Sequence, residues 1–340
     1  MDVNRSVVLR SRPVGPARAS DFEVKTQPMP VVQTGALLAR VIECSIDPAM
    51  RRWMDADSYG TPIAIGNEIP CTLVGQVESS RCEGFATGDF VTGRGTISDY
   101  CVMATDGYTR VVEDPGTRPL SAHLGVLGTS GLTAYNGLLK VGRPESGQTV
   151  LVSAAAGSVG SLVGQIAKIQ GCRAVGIAGG ESKCALLRER YGFDAAIDYR
   201  GRNAGELARE IQRECPSGVD VYFDNVGGTC LDAALAAINH KARIVLCGMI
   251  SQYNSTGPSP GPGNLWQLVA KTATMTGFLN REYLGACTNE LQDLRRWVDE
   301  GRLVWRVHVV EGLDNFHEAL ARLFDGSHDG KVILRVARAE

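Results

Sequence analysis

Residues 155–160 read Ala-Ala-Gly-Ser-Val-Gly, a small, glycine-containing stretch of the kind that binds phosphate groups. A short apolar run, Thr149 to Val152, precedes it, and a segment with apolar side chains at helical spacing follows it. In such a strand–turn–helix unit, Gly157 lets the backbone approach a pyrophosphate, and Gly160 lets the helix pack closely on the strand. Amide N–H groups at the start of the helix then face the phosphates. The pattern predicts a dinucleotide site, with Ala155 standing where the usual fingerprint has glycine.

The end of the next apolar run, Ala174 to Ala178, indicates which dinucleotide binds. An NAD-selective site usually places an acidic residue there to bind the ribose hydroxyls, but this chain continues with Gly179 and Gly180. We expect Ser182 to cap the following helix and Lys183 to lie in its first turn, where a cation opposes the helix dipole unless an anion lies nearby. A 2′-phosphate would be that anion, so the sequence favours NADP(H). The alternative for Lys183 is a solvated side chain.

The composition of the chain limits the classes of protein to which it can belong. A chain of 340 residues can form two domains with separate cores. Its net charge of -2 gives no electrostatic reason to expect a nucleic acid or an anionic membrane as partner. Apolar runs stay well short of the roughly 18 residues of a transmembrane helix, and the N-terminus lacks the apolar core of a secretory signal. We therefore expect a cytoplasmic location.

The chain divides into three stretches, and the second of them contains the dinucleotide motif. Residues 1–118 contain short apolar runs between Gly, Pro and Asp turns, which predict a β-rich domain. Residues 119–301 alternate strand and helix, as in a doubly wound parallel sheet of the α/β class. Residues 302–340 predict a strand, a helix and a strand that complete the first domain, and we expect substrate to bind in the cleft between the domains. The strands predicted for the parallel sheet are Thr149–Val152, Ala174–Ala178, Ala195–Ile197, Val219–Asp224, Arg243–Leu246 and Thr274–Gly277.

Further motifs are spread over nearly the whole chain, namely Asp47–Arg51, Leu127–Tyr135, Ala155–Lys168, Tyr222–Gly228, Cys247–Asn254 and Gly326–Lys331. In this order they resemble the zinc-independent medium-chain dehydrogenases/reductases, in particular the branch that contains prostaglandin and leukotriene reductases, plant double-bond reductases and bacterial curcumin reductase. The resemblance implies a GroES-like catalytic domain formed by residues 1–118 and 302–340. It also implies a Rossmann NADP-binding domain formed by residues 119–301, and a homodimer.

The resemblance implies roles for individual residues along the cofactor. Lys183 and the hydroxyl of Tyr199 would lie at the 2′-phosphate, and Asn225 would lie at the carboxyl end of a strand, where such sheets bind ligands. The alternatives are an ordinary surface tyrosine at Tyr199 and a purely turn-shaping role for Asn225. His328 replaces an asparagine that contacts the cofactor in the family. Contacts to the pyrophosphate and the nicotinamide half are expected from Gly157, Ser158, Val159, Gly160, Cys247, Gly248, Ile250, Ser251, Tyr253, Phe278, Leu279 and Asn280.

The cysteines argue against a metal site. The ten cysteines contain no C-x-x-C pair, and a catalytic zinc needs about three protein ligands. Cys44 and Cys71 fall near two ligand positions of the zinc-dependent branch, but the third position falls near Ser130, which is a poor ligand. We therefore predict an enzyme without metal, in which most cysteines are small buried side chains.

For an enzyme without metal, the resemblance implies an NADPH-dependent reductase of the C=C bond in α,β-unsaturated aldehydes and ketones. Hydride would reach the β-carbon while negative charge develops on the carbonyl oxygen, where a hydrogen-bond donor stabilises it. Tyr253 is the first candidate for that donor, directly or through a ribose hydroxyl, and Tyr59 is the second. Ala49 and Ile97 stand where relatives often carry tyrosine and tryptophan, which predicts a reshaped substrate pocket. The alternatives are an NADPH quinone oxidoreductase and a cofactor-binding protein with little turnover.

Overall fold

The computed structural model describes residues 3–105, 107–113 and 115–338. The chain divides into two compact units, one formed by Met1–Gly128 with Val307–Glu340 and the other by Thr129–Arg306. It therefore leaves the first unit and returns to it near the C-terminus. The predicted domain boundaries at 118 and 301 lie earlier along the chain than these limits. Within the described ranges, no helix has both the length and the apolar character that crossing a membrane requires.

The first unit is rich in β-strands, as its short apolar runs predict. Its strands are β1 (Val3–Leu9), β2 (Phe22–Pro28), β3 (Ala36–Ser45), β4 (Pro70–Ser80), β5 (Phe90–Thr96), β6 (Tyr100–Ala104), β7 (Arg110–Val111), β14 (Val307–Glu311) and β15 (Lys331–Arg335). Strands β1 and β2 form an antiparallel hairpin, and the others form a sheet in the order β14-β15-β3-β4-β5-β7, with β6 paired to β3. The α-helices among the described residues of this unit are α1 (Ala49–Trp53) and α9 (Phe316–Asp325). Leu37, Leu73, Met103 and Phe316 belong to its buried core.

A buried lysine ties the C-terminal strand to the rest of this unit. Lys331 begins β15, and its ammonium donates to the carbonyl oxygen of Ile46 at 2.6 Å and to Asp47 Oδ1 at 2.8 Å. Leu334 pairs with Cys44 in the antiparallel register of β15 and β3. Because an ammonium group is stable in a protein interior only when it is paired, these contacts fix the turn around Asp47 to the end of the chain.

The second unit is a doubly wound α/β domain, which confirms the predicted fold class. Its described strands are β8 (Thr149–Val152), β9 (Arg173–Ala178), β10 (Ala195–Asp198), β11 (Val219–Asp224), β12 (Ile238–Leu246) and β13 (Thr274–Gly277). They run parallel in the order β10-β9-β8-β11-β12-β13. The helices are α2 (Thr129–Tyr135), α3 (Ser158–Ile169), α4 (Glu181–Glu189), α5 (Ala204–Glu214), α6 (Gly228–Leu235), α7 (Trp266–Ala270) and α8 (Thr288–Asp299). Strands β8, β9 and β11 are buried on both faces, as expected for central strands of a parallel sheet between helices, whereas the edge strand β13 is mostly exposed.

Two local predictions in this unit are wrong. Strand β12 begins at Ile238, earlier than the predicted Arg243, because Ile238 pairs with Val219 and an irregularity in the register separates that pair from the next. The N-cap of α4 is Gly180 and not Ser182. Gly180 has a φ of 90°, a backbone conformation that glycine adopts without strain, so the helix starts before the serine.

Candidate cofactor site

The carboxyl edge of the parallel sheet gathers the loops that contain most of the predicted cofactor residues. Because the strands are parallel, the loops after β8, β9, β11, β12 and β13 leave the sheet at the same edge. The chain goes from β8 to β9 and β10 on one side, and then continues with β11 on the other side of β8. In open α/β sheets, ligands bind at such a reversal of strand order, outside the carboxyl ends of the strands.

The glycine-containing turn connects β8 to α3. Gly157 is the N-cap of α3 with an extended backbone (φ -78°, ψ 175°), and no described side chain caps this helix. A Cβ on Gly160 would lie 2.5 Å from Ala154 O and 2.8 Å from Ala155 Cα, so the close packing of the helix on the turn requires glycine there. A Cβ on Gly157 would meet only Ala154 O, at 3.2 Å. The turn therefore leaves the first N–H groups of α3 in the arrangement that binds an anion.

Ser158 and Val159 are the first two residues of α3. The hydroxyl of Ser158 donates to Ser130 Oγ at 2.7 Å, and Ser130 lies in α2 with 3% of its surface exposed. Ser130 is the position that would have to supply a third zinc ligand. Its hydroxyl is instead engaged with the start of α3, where it holds the side chain of Ser158 in place.

The end of β9 has no carboxylate, and Lys183 follows as the third residue of α4. Glu181, the first residue of that helix, forms an ion pair with Arg188 at 2.5 Å, which balances its charge along the helix. The ring of Tyr199 lies against Gly179, because a Cβ on this glycine would be 3.2 Å from Cε1 and 3.3 Å from Oη of the tyrosine. The structure thus brings Tyr199 to the strand end that precedes Lys183, with 45% of the tyrosine exposed.

Asp198 and Arg200, which were not predicted from the sequence, meet the same strand end. Asp198 Oδ1 accepts the backbone N–H of Gly180 at 2.8 Å and that of Arg200 at 2.9 Å. Burial acts to raise the pKa of Asp198, but these two donors and the charges of Arg202 and Arg200 hold that pKa below its ordinary value. The carboxylate therefore fixes the loops after β9 and β10 to each other. The sequence indicates Asp198 and Arg200 only weakly, because they are simply the charged residues on either side of Tyr199.

Asn225 follows β11 and ties that strand to β8. Its Nδ2 donates to the carbonyl oxygen of Ser153 at 2.7 Å, and its backbone N–H donates to Ser153 Oγ at 2.8 Å. The buried Asp224 accepts hydrogen bonds from Ser153 Oγ, Tyr222 Oη and the N–H of Gly227. The side-chain amide of Asn225 is thus used to shape the turn, which is the alternative interpretation of this residue, and its contact with the cofactor stays a prediction. Asp224 is a positioning residue that the sequence did not single out.

The loop after β12 folds back onto the same turn. The N–H groups of Cys247 and Gly248 both donate to the carbonyl oxygen of Asp224, at 2.9 and 3.1 Å, and the hydroxyl of Ser251 donates to the carbonyl oxygen of Val226 at 2.6 Å. Burial, with the charge of Asp224 as a smaller cause, raises the pKa of the Cys247 thiol to about 12. This thiol is therefore neutral at physiological pH and is expected to contribute shape rather than reactivity.

Tyr253 ends the short helical turn Ile250–Gln252, whose first N–H donates to the carbonyl oxygen of Asn225 at 3.2 Å. Its hydroxyl oxygen accepts the N–H of Met249 at 3.2 Å and would lie 3.0 Å from a Cβ on Gly248. The loop therefore places the hydroxyl of Tyr253 at the carboxyl edge of the sheet, and its role as a hydrogen-bond donor to the substrate stays a prediction.

The three residues after β13 are Phe278, Leu279 and Asn280. The ring of Phe278 packs edge-to-face on Phe223 of β11, with 6.3 Å between ring centres. Asn280 Oδ1 accepts a hydrogen bond from Nδ2 of the buried Asn136 at 3.0 Å. These contacts anchor the segment beside the end of β11, and its contact with the cofactor stays a prediction.

Tyr59 and His328 belong to the first unit. Tyr59 is 48% exposed, and its hydroxyl oxygen accepts the indole N–H of Trp53 at 2.9 Å. His328 Nδ1 lies 2.6 Å from the carbonyl oxygen of Arg322, and because a carbonyl can only accept, Nδ1 carries the proton. Nδ1 of His328 therefore donates within its own unit. The cofactor contact of His328 and the catalytic role of Tyr59 stay predictions.

Cys44 and Cys71 are buried in the first unit. Burial raises the pKa of the Cys71 thiol well above its ordinary value, and a hydrogen bond with Cys44 acts in the same direction. Throughout the described ranges, no three His, Cys, Asp or Glu side chains form a group that could hold a metal ion. Ile97 is fully buried in the core of this unit. The predicted effect of this residue on the substrate pocket stays a prediction.

Two family profiles match the chain. The profile described as the N-terminal domain of oxidoreductase matches residues 5–111, and the profile described as zinc-binding dehydrogenase matches residues 158–300. The NADPH-dependent curcumin reductase of Escherichia coli (strain K12) is 38% identical over 98% of this chain and 97% of its own length. The NADP(+)-dependent 2-alkenal reductase of Nicotiana tabacum is 36% identical over 98% of both chains. The crystal structure of CurA from Vibrio vulnificus in complex with NADPH is 38% identical and superposes with a TM-score of 0.89, covering 98% of this chain and 100% of that chain.

The fold and the site define an α/β oxidoreductase with a Rossmann dinucleotide-binding domain. The chain belongs to the zinc-independent branch of the medium-chain dehydrogenase/reductase family, to which these relatives also belong. This confirms the family predicted from the motifs. The words "zinc-binding" describe the wider family of the second profile, whose matched range contains neither Cys44 nor Cys71.

Proposed function

We propose that this chain is an NADPH-dependent reductase that transfers hydride to the β-carbon of an α,β-unsaturated aldehyde or ketone without a metal. The observation that carries the proposal is the similarity, over almost the full length, to relatives that are named as NADPH- or NADP-dependent reductases. C=C reduction is the chemistry shared by curcumin and 2-alkenal reductases. The class of substrate comes from these relatives, and the position of hydride transfer comes from the chemistry of the activated double bond.

The residues at the carboxyl edge of the Rossmann sheet fit NADP(H). The turn at Gly157 and Gly160 leaves helix N–H groups for a pyrophosphate. At the end of β9, a Cβ on Gly179 would fill the space beside the ring of Tyr199, so glycine keeps this space open. Lys183 and the hydroxyl of Tyr199 are the groups that would hold the 2′-phosphate at that strand end. A carboxylate at the end of β9, which would favour NAD, is missing from the sequence.

The cofactor, when bound, supplies the hydride, and the protein stabilises the charge that develops on the substrate. As the β-carbon accepts hydride, negative charge grows on the carbonyl oxygen, and an oriented donor at that oxygen lowers the barrier. Tyr253 is the preferred donor because its hydroxyl oxygen is held at the carboxyl edge by the N–H of Met249, and a tyrosine hydroxyl can donate a hydrogen bond. It acts directly or through a ribose hydroxyl, and Tyr59 is the second candidate. The proposal needs no metal. Ser130, at the third ligand position of the zinc branch, is a poor ligand, and its hydroxyl oxygen accepts a hydrogen bond from Ser158.

Turnover with a panel of acceptors tests this function. Wild-type protein is mixed with NADPH or NADH and with enals, enones or quinones, and loss of the reduced cofactor is followed together with the identity of the product. We expect turnover of enones with a preference for NADPH and a saturated carbonyl compound as product. Turnover of quinones alone would make the chain a quinone oxidoreductase, and tight NADPH binding without turnover of any acceptor would indicate a cofactor-binding protein. The homodimer and the cytoplasmic location stay predictions.

A further inference from the structure

We infer that Arg200 is a second cation for the 2′-phosphate of NADP(H), beside Lys183, and that Gly179 provides the space for this contact. The inference rests on the proposed use of NADP(H), and it adds a residue that determines the specificity for the cofactor. It starts from the contact between the loops after β9 and β10, which lie side by side because these two strands are neighbours in the sheet.

The position of Arg200 is fixed by its backbone. Its N–H donates to Asp198 Oδ1 at 2.9 Å, and the N–H of Gly180 donates to the same oxygen at 2.8 Å. One carboxylate oxygen therefore connects the backbone of the arginine to the glycines after β9. With two such donors, this carboxylate is held as the charged acceptor, and it orders the loop that carries Arg200.

The guanidinium of Arg200 lies across the two glycines. A Cβ on Gly179 would be 3.2 Å from its Nε, and a Cβ on Gly180 would be 3.1 Å from its Nη1. The hydroxyl of Tyr199 would be 3.3 Å from the same Cβ on Gly179, so both donors face one small volume. Among the described residues, no carboxylate lies within ion-pairing distance of this guanidinium. A planar, exposed guanidinium next to a hydroxyl is well suited to binding two oxygens of a phosphate.

The charges around this strand end match a phosphate dianion. Glu181 is paired with Arg188, and Asp198 is accompanied by Arg202, whose guanidinium donates to the carbonyl oxygen of Asp198. Arg200 adds a second positive charge at the strand end that precedes Lys183. A phosphate monoester carries a charge of about -1.5 to -2 near neutral pH, so two cations balance it where one does not. We therefore assign to Arg200 a share of the discrimination between NADPH and NADH.

Calorimetric titration of the full-length protein with NADPH, NADH and adenosine 2′,5′-bisphosphate tests this assignment. Arg200→Ala should weaken the binding of NADPH and of the bisphosphate by about tenfold or more and leave NADH within about twofold, because a charge-assisted contact to the 2′-phosphate is lost. Arg200→Lys should restore part of the loss. Gly179→Asp, which places a carboxylate beside the guanidinium, should reverse the preference towards NADH. The matched control is Arg213→Ala at the C-terminal end of α5, an exposed arginine paired with Glu210, which should bind all three ligands as wild type does.

An unchanged ratio of NADPH to NADH affinity in Arg200→Ala would overturn the inference, and so would an equal loss for NADH. If the wild-type protein binds neither NADPH nor the bisphosphate, the proposed cofactor and the inference are both overturned. Binding of NADPH by the wild type without turnover of any enone would overturn the proposed reaction alone. In that case, a selective loss in Arg200→Ala would still support the role of the arginine.

Discussion

Gly157 and Gly160 are both glycines of the predicted phosphate-binding turn, but the structure gives them different tasks. A Cβ on Gly160 would lie 2.5 Å from Ala154 O, 2.8 Å from Ala155 Cα and 3.0 Å from Ala154 C. These are backbone atoms of the turn, so no rotamer change can relieve the contact. A Cβ on Gly157 would meet only Ala154 O, at 3.2 Å. Neither glycine has a positive φ, so the difference comes from space and not from backbone strain.

The two alanine variants should therefore fail in different ways. Gly160→Ala forces α3 away from the turn, and overpacking of this kind costs about 1–3 kcal/mol of unfolding free energy. In a domain of this size, each kcal/mol lowers the melting temperature by roughly 2–4 °C. Gly157→Ala should keep the unfolding free energy within about 1 kcal/mol of wild type. Its methyl group would occupy the approach to the pyrophosphate, and we expect NADPH to bind about tenfold more weakly, or ~1.4 kcal/mol.

Thermal unfolding of the protein without ligand, followed by a fluorescence titration with NADPH, separates the two effects. We expect a lower melting temperature for Gly160→Ala, and a near-normal melting temperature with weaker NADPH binding for Gly157→Ala. A Gly160→Ala variant that melts like wild type would refute the packing argument. A Gly157→Ala variant with unchanged NADPH affinity would refute the placement of the pyrophosphate at this turn.

Three further predictions concern the cofactor, the donor and the metal. Lys183→Ala should reduce the preference for NADPH over NADH by about tenfold, since it removes a charge-assisted contact, and an unchanged preference would remove Lys183 from the 2′-phosphate site. Tyr253→Phe should lower kcat/KM by about 1–3 kcal/mol of transition-state stabilisation while the protein still binds NADPH, and full activity would exclude Tyr253 from the mechanism. Metal analysis of active protein should find far less than one zinc per chain, and treatment with a chelator should leave turnover unchanged. A stoichiometric zinc lost together with activity would contradict the metal-free mechanism.

The sheet of the Rossmann domain could be predicted well because a parallel strand is buried on both faces. Such a strand is a continuous apolar run between glycines or polar residues, and the predicted Thr149–Val152 and Val219–Asp224 agree with the structure. The predicted Thr274–Gly277 also agrees, although this edge strand is mostly exposed. Strand β12 was predicted too short because Asn239, His240 and Lys241 interrupt the apolar pattern. They lie in the irregularity between the pairs Ile238–Val219 and Arg243–Val221, so the strand reaches Ile238 only through a pairing with β11 that a local pattern does not contain.

The candidate site was predictable where the chemistry is local. The glycines of the turn and the place of Lys183 in the first turn of a helix follow from a few consecutive residues. Asp198 and Arg200 were not predicted, because their contacts with Gly180 and its neighbour depend on β9 and β10 being adjacent. The role of Asp224 was missed for the same reason, as its donors include Ser153, directly after β8, and Gly227 in the turn after β11.

The central claim is that hydride goes from NADPH to the β-carbon of an enone, and isotopic labelling tests it most directly. NADPH that carries deuterium at the transferable position is mixed with an enone and the wild-type protein, and the product is examined by mass spectrometry and NMR. We expect a saturated ketone with one deuterium on the β-carbon and solvent hydrogen on the α-carbon. An allylic alcohol with deuterium on the carbonyl carbon, or a saturated product with deuterium on the α-carbon, would contradict the claim.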